Sequence, residues 1–179
     1  MPVRPDPLRA AFLVTDIVGS TALADRIGDH RWYELLVAHR KLVRDEAALR
    51  GGREVSFRGD GFVLAFDLSA SAAQCAIAIQ RACGDDFRVR IGLHTGGALR
   101  HESSVIGRAV THACRLAEAA QPGEILLSPL AAGEAGMVTD PVTVSLKGLS
   151  TRLPARRLSW DLTATGRFAR ATNDRSRCA

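Results

Sequence analysis

A chain of 179 residues with 46% hydrophobic content can bury one sizeable core, and its length favours a single domain. It has no run of about 20 uninterrupted apolar residues and no basic stretch leading into an apolar signal core, which argues against a membrane span or secretion and for a cytoplasmic protein. The formal net charge of +5 suits an anionic ligand. Much of it sits on Arg167, Arg170, Arg175 and Arg177, in a segment with a single aromatic, Phe168, and no reading helix, so nucleic acid is not an expected partner.

Residues 1–9, with Pro2, Pro5 and Pro7, read as a leader, and residues 10–14 as a short buried strand ending at Thr15-Asp16. Asp29 is a plausible N-cap for the longest helix, in which Trp32, Leu35, Leu36, His39, Leu42, Val43 and Leu49 keep helical spacing until Gly51-Gly52. Residues 53–57 and 62–66 form two strand-like runs, and Arg58-Gly59-Asp60-Gly61 between them predicts a hairpin with Asp60 at its tip. Ser69 can cap a helix running to Cys83, followed by a strand over residues 87–94 and a turn near Gly96-Gly97.

A further helix over residues 107–120, a strand over 124–127 and a terminal strand pair over 138–146 and 152–159 complete the pattern. The order of elements predicts an α+β fold: a ferredoxin-like βαββαβ core with added C-terminal strands and helix. The folded domain is expected over residues 10–162, with a flexible basic tail over 163–179. Cys75, Cys83, Cys114 and Cys178 lack the spacing of a zinc site and read as free thiols, a disulfide pair being the less expected alternative.

Two carboxylates stand out. Asp16 lies where the first strand gives way to Ile17-Val18-Gly19-Ser20-Thr21, beside the backbone N–H groups of a helix start, which attract phosphate. Asp60 occupies a neighbouring strand edge, and two such carboxylates can hold Mg²⁺ or Mn²⁺ against a triphosphate. Taken singly, Asp16 can serve as a helix cap and Asp60 as a turn residue.

The strings Phe12-Leu13-Val14-Thr15-Asp16-Ile17-Val18-Gly19-Ser20-Thr21 and Gly59-Asp60-Gly61-Phe62 resemble the two metal motifs of class III adenylate and guanylate cyclases. The resemblance extends through Arg90-Ile91-Gly92-Leu93-His94-Thr95-Gly96, Gly107 to Arg115 and Pro122-Gly123-Glu124-Ile125. It implies a homodimer with composite sites at its interface, a nucleoside triphosphate substrate, and two ions, Mg²⁺ or Mn²⁺, held by Asp16, Asp60 and the Ile17 backbone. Gly19, Ser20 and Thr21 would face the phosphates. Arg115 would steady charge on the transferring phosphate, and Lys147 would meet the terminal phosphates.

The chain departs from the family pattern at three positions. Ser56 stands where adenylate cyclases usually place a lysine that donates to adenine, Ser104 stands at the partner position for the base, and Thr111 replaces an asparagine that orients the ribose. ATP is the default substrate by resemblance; GTP, a pyrimidine nucleotide, or a catalytically silent nucleotide-binding role are the alternatives. Arg58 and Phe57 can offer a fork or a stacking face to a base, or be ordinary hairpin side chains. His39 and His94 read as core or surface histidines rather than general bases, and Trp32 with Tyr33 as packing or dimer contacts.

Overall fold

A computed structural model describes residues 5–83, 86–102, 104–145 and 152–160. The expected tail, Lys147 and Cys178 lie outside the described residues. The chain runs β1 (Asp6–Ile17), α1 (Ser20–Ile27), α2 (Asp29–Leu49), β2 (Arg53–Arg58), β3 (Gly61–Phe66), α3 (Ser69–Ala82), β4 (Val89–His101), β5 (Ser104–Ile106), α4 (Arg108–Ala119), β6 (Ile125–Leu127), α5 (Pro129–Ala135), β7 (Thr139–Ser145) and β8 (Arg152–Leu158).

These strands form one sheet in the order β2-β3-β1-β4-β6-β8-β7, with β5 paired to β4. β1 lies antiparallel between β3 and β4, and with α2 and α3 these elements make the expected ferredoxin-like core. β6 runs parallel to β4, and β8 and β7 extend the sheet antiparallel to an edge that carries Pro141. The opposite edge is β2, which has a register irregularity between Glu54 and Ser56.

The period-two alternation of β1 divides the interior. Ala11, Leu13 and Ile17 join Val43, Ala47, Phe62, Leu64, Phe66 and the small residues of α3 in the core under α2 and α3. Ala10, Phe12 and Val14 face the other way, against Ala109, Ala113 and Ala117 of α4. That contact is close because the strand beneath is bare: a Cβ at Gly92 would lie 2.3 Å from both the Ala113 carbonyl oxygen and the Ala117 nitrogen. Asp16, two residues beyond Val14, therefore belongs to the α4 side of the sheet.

Four local expectations are corrected. β1 begins at Asp6, ahead of the predicted residue 10, because residues 6–9 pair in turn with Arg100, Leu99, Ala98 and Gly97 of β4. Gly96-Gly97 is no turn: β4 continues to His101, and Gly96 is needed because a Cβ there would lie 3.0 Å from Ala109 Cβ. Asp29 is the first residue of α2 and Gly28 its N-cap, with no side-chain cap. Ser69 likewise opens α3 behind Leu68; its hydroxyl binds Thr95 Oγ1 and donates to Glu134 Oε2, both at 2.7 Å, and Arg9 donates to the same carboxylate. Cys75, Cys83 and Cys114 are free thiols, as expected.

His39 is a core residue, 2% exposed, with its ring edge-on to Phe62 and Phe87 and neither ring nitrogen hydrogen-bonded. Burial, reinforced by the neighbouring Arg40 charge, pushes its pKa down to about 4. The unfolded chain takes up this proton near the ordinary value of 6.5 and the folded chain does not. The associated stability is thus fully present above pH 6.5 and is lost as the pH falls toward 4. Denaturant titrations at pH 7 and pH 5 are expected to show His39→Leu losing about 2 kcal/mol less than the parent over that interval.

Candidate active site

The β1–β3 register brings the two aspartates together. Thr15 pairs with Phe62, and Phe62 N donates to Thr15 Oγ1 at 3.3 Å, so the hairpin tip lies against the end of β1. Gly61 makes this approach possible: a Cβ there would sit 3.0 Å from the Thr15 carbonyl oxygen and 3.9 Å from Asp16 Oδ1. Asp60 follows Gly59, which holds the left-handed φ of 61° that starts the turn. Asp60 Oδ2 is buried without a hydrogen-bond partner, and Asp16, half-buried, forms an ion pair with Arg90 directly across the β1–β4 ladder.

These observations fit a divalent cation. A metal would stabilise a buried carboxylate oxygen without a donor, and Asp16 and Asp60, with the Ile17 carbonyl next in the chain, would supply oxygen donors of the kind that Mg²⁺ or Mn²⁺ prefers. No cluster of three or more His, Cys, Asp or Glu side chains suited to a metal occurs among the described residues, so protein carboxylates alone would not complete the coordination. Just beyond, Gly19 caps α1 with φ 64°, and no side chain accepts from the N–H groups of the first turn, where Ser20 and Thr21 stand. A depression of about 590 Å³, bordered by Gly19, Arg26 and Arg88 among others, adjoins this helix start.

The remaining site residues are distributed over the same face. Ser56 pairs with Val63, whose side chain packs against the α4-side core, so Ser56 shares the face of Asp16 and is exposed. Ser104 is exposed on β5. Thr111 and Arg115 stand one turn apart on α4, away from the stripe of Ala109, Ala113 and Ala117 that is buried on the sheet. Thr111 Oγ1 bonds back to the Gly107 carbonyl at 3.4 Å. Arg115 has no hydrogen bond or ion pair to either aspartate among the described residues.

Phe57 is withdrawn from any base-stacking role. It packs on Phe62 at 4.7 Å between centroids, with the Arg40 guanidinium 4.6 Å above its ring. Trp32 packs against the core, as does His39, while Tyr33 is exposed. His94 stacks on His112 of α4 at 4.4 Å and bonds Ser128 Oγ at 2.8 Å through Nδ1, and burial followed by the His112 neighbour lowers its pKa to about 4.

Two residues without a role in the sequence reading touch the site. Arg90 neutralises Asp16 and reaches the Glu118 carbonyl at the end of α4. Its place two residues before Gly92, on the side of the sheet that faces α4, was a usable signal. Arg40 donates to the Gly59 carbonyl at 2.8 Å from a helix 19 positions away, a contact that no local pattern announces.

No family model matches the sequence. An adenylate cyclase of Streptomyces coelicolor is 30% identical to it over 129 residues, covering 70% of this chain and 34% of that protein. The chain spans between 22% and 34% of the length of the curated relatives it matches. The crystal structure of the adenylyl cyclase CyaB from P. aeruginosa superimposes with a TM-score of 0.75 at 20% identity, over 88% of this chain and 96% of that one. An adenylate/guanylate cyclase/hydrolase from Silicibacter pomeroyi does so with a TM-score of 0.76 at 23% identity, over 88% and 99%. Likeness across nearly the whole described length shows that the chain has the fold of the class III adenylyl and guanylyl cyclase catalytic domains, and the relationship to an adenylate cyclase agrees with it.

Proposed function

We propose that this domain converts a nucleoside triphosphate, ATP by default, into a 3′,5′-cyclic nucleotide and pyrophosphate, working as a cytoplasmic homodimer with two composite sites. The observation that carries the reading is the pair of carboxylates at adjoining strand ends, one with a buried oxygen that no protein donor meets. Asp16, Asp60 and the Ile17 carbonyl would hold Mg²⁺ or Mn²⁺, two ions per site, which supply Lewis-acid stabilisation of phosphate charge and lower the pKa of the attacking hydroxyl. No described helix is long and apolar enough to cross a membrane.

In this reading the start of α1, with Gly19, Ser20 and Thr21, receives the phosphates through its open N–H groups. Arg115, and Thr111 beside it, approach from the partner chain, which accounts for their outward placement on α4. Arg115 offers a planar fork to the charge that builds on the α-phosphate during in-line displacement, and Thr111 steers the ribose 3′-oxygen. Lys147 is assigned to the terminal phosphates. Ser56 and Ser104 offer only short hydroxyls to the base, which leaves GTP or a pyrimidine nucleotide as alternative substrates.

The test is product identification by mass spectrometry with pyrophosphate release, offering ATP, GTP, CTP and UTP separately with Mg²⁺ and with Mn²⁺. A cyclic product is the expected result, and its base names the substrate. A folded dimer that yields none from any nucleotide would overturn the catalytic reading in favour of a binding-only domain. Thr111→Asn, which lengthens the reach of the side chain toward the ribose, is expected to raise kcat about tenfold, and Thr111→Val to lower it, in initial-rate measurements at saturating nucleotide.

A further inference from the structure

We propose that Arg40 is a positioning residue for Asp60: by pinning the tip of the β2–β3 hairpin to α2, it sets the affinity of the carboxylate pair for a divalent cation. The inference rests on the reading of Asp16 and Asp60 as cation ligands and goes beyond it by giving a role to a residue that touches neither substrate nor metal.

The geometry is specific. Arg40 Nη2 donates to the carbonyl oxygen of Gly59 at 2.8 Å, the residue directly before Asp60. The same guanidinium lies 4.6 Å from the centroid of Phe57, on the incoming strand of the hairpin, so it grips the turn from two sides. Gly59 has φ 61° and offers no side chain of its own to hold the tip. The Gly59–Asp60 peptide is therefore oriented from α2, and with it the Cα from which the Asp60 carboxylate projects. That carboxylate has a buried oxygen without a partner and so gains no anchoring from donors of its own at this atom. The α2 contact does for the backbone what a hydrogen bond to the carboxylate would do for the side chain.

Two effects of removing Arg40 oppose one another. Loss of a positive charge near a cation site favours cation binding, by about fivefold or less for a partly solvated group. Loss of the anchor disfavours it, and outer partners of metal ligands typically alter affinity by about 10- to 100-fold. The second effect is the larger. Folding stability should change little, because Arg40 also keeps its Nε buried without an acceptor, and Arg40→Met removes that unmet donor together with the bond to Gly59 while retaining a stem to cover Phe57.

The experiment is a nucleotide-free Mn²⁺ titration of the full chain followed by electron paramagnetic resonance, on the parent, Asp60→Asn, Arg40→Met and Arg40→Lys, with amide hydrogen exchange over residues 57–62 measured alongside. The expected result is a Kd for Mn²⁺ raised about tenfold in Arg40→Met, partial recovery in Arg40→Lys, which keeps a charged donor, and faster exchange in the hairpin only. Should Arg40→Met fail to fold, Arg40→Lys carries the test, with an expected rise in Kd of about threefold. Mn²⁺ binding that depends on Asp60 but is the same or tighter in the Arg40 variants overturns the positioning role and leaves the metal reading intact. Binding indifferent to Asp60→Asn overturns the metal reading, and the role of Arg40 with it.

Discussion

Asp60→Asn is expected to lower cyclic nucleotide formation by at least about 10³-fold while leaving the melting temperature unchanged or slightly raised. The replacement is nearly isosteric, keeps the turn, and exchanges a full negative charge for a dipole. The Lewis-acid contribution to such a reaction amounts to several kcal/mol, and about 4 kcal/mol of it corresponds to that factor. Stability should move the other way, because the parent buries an Asp60 oxygen that no donor meets, and easing that burial contributes about 1 kcal/mol. Opposite signs in the two measurements are what a site shaped for binding rather than for stability produces. A variant that retains more than a tenth of the parent activity, or that melts far lower, would mean that Asp60 is a turn residue and nothing more.

Among the described glycines, Gly92→Ala should be the most damaging. Its Cβ would enter the backbone of α4, 2.3 Å from the Ala113 oxygen and the Ala117 nitrogen, and no rotamer change relieves a clash with main chain. The helix must lift or the strand must bow, at a cost of about 3 kcal/mol, which for a domain of this size lowers the melting temperature by roughly 10 °C. Because α4 also carries Thr111 and Arg115, its displacement should reduce kcat more than the loss of folded protein explains. Calorimetry and initial rates on the same preparation would check both; a variant as stable as the parent would show that α4 does not sit on Gly92 as described.

The sequence made the core legible wherever the relevant contacts repeat locally. The apolar run of β1, helical spacing in α2 and the glycines around Asp60 each arise from backbone geometry within a few residues, and the corresponding elements cover the expected residues, β1 extending further toward its start. Expectations failed where a distant partner outcompeted a local preference. Ser69 has the chemistry of a helix cap, but Thr95 and Glu134, 26 and 65 positions away, take its hydroxyl. Gly96-Gly97 has the composition of a turn, but both lie in a continuous strand, where the close approach of Ala109 favours bare backbone at Gly96. The same limit hid Arg40, whose bond to Gly59 depends on how α2 crosses the sheet, whereas Asp16 and Asp60 were singled out because their surrounding strings carry the resemblance as motifs.

The two ends of the sheet bear on how copies of this domain can meet. At β7, Pro141 withholds a main-chain donor, and at β2 the irregularity between Glu54 and Ser56 breaks the even spacing that an added strand would need, with Arg53, Glu54 and Arg58 alongside. Neither border is a good template for another strand. Growth by strand addition, the route by which exposed borders lead to fibres, is thereby opposed at both ends, and specific association is directed to the broad surfaces of the sheet and its helices.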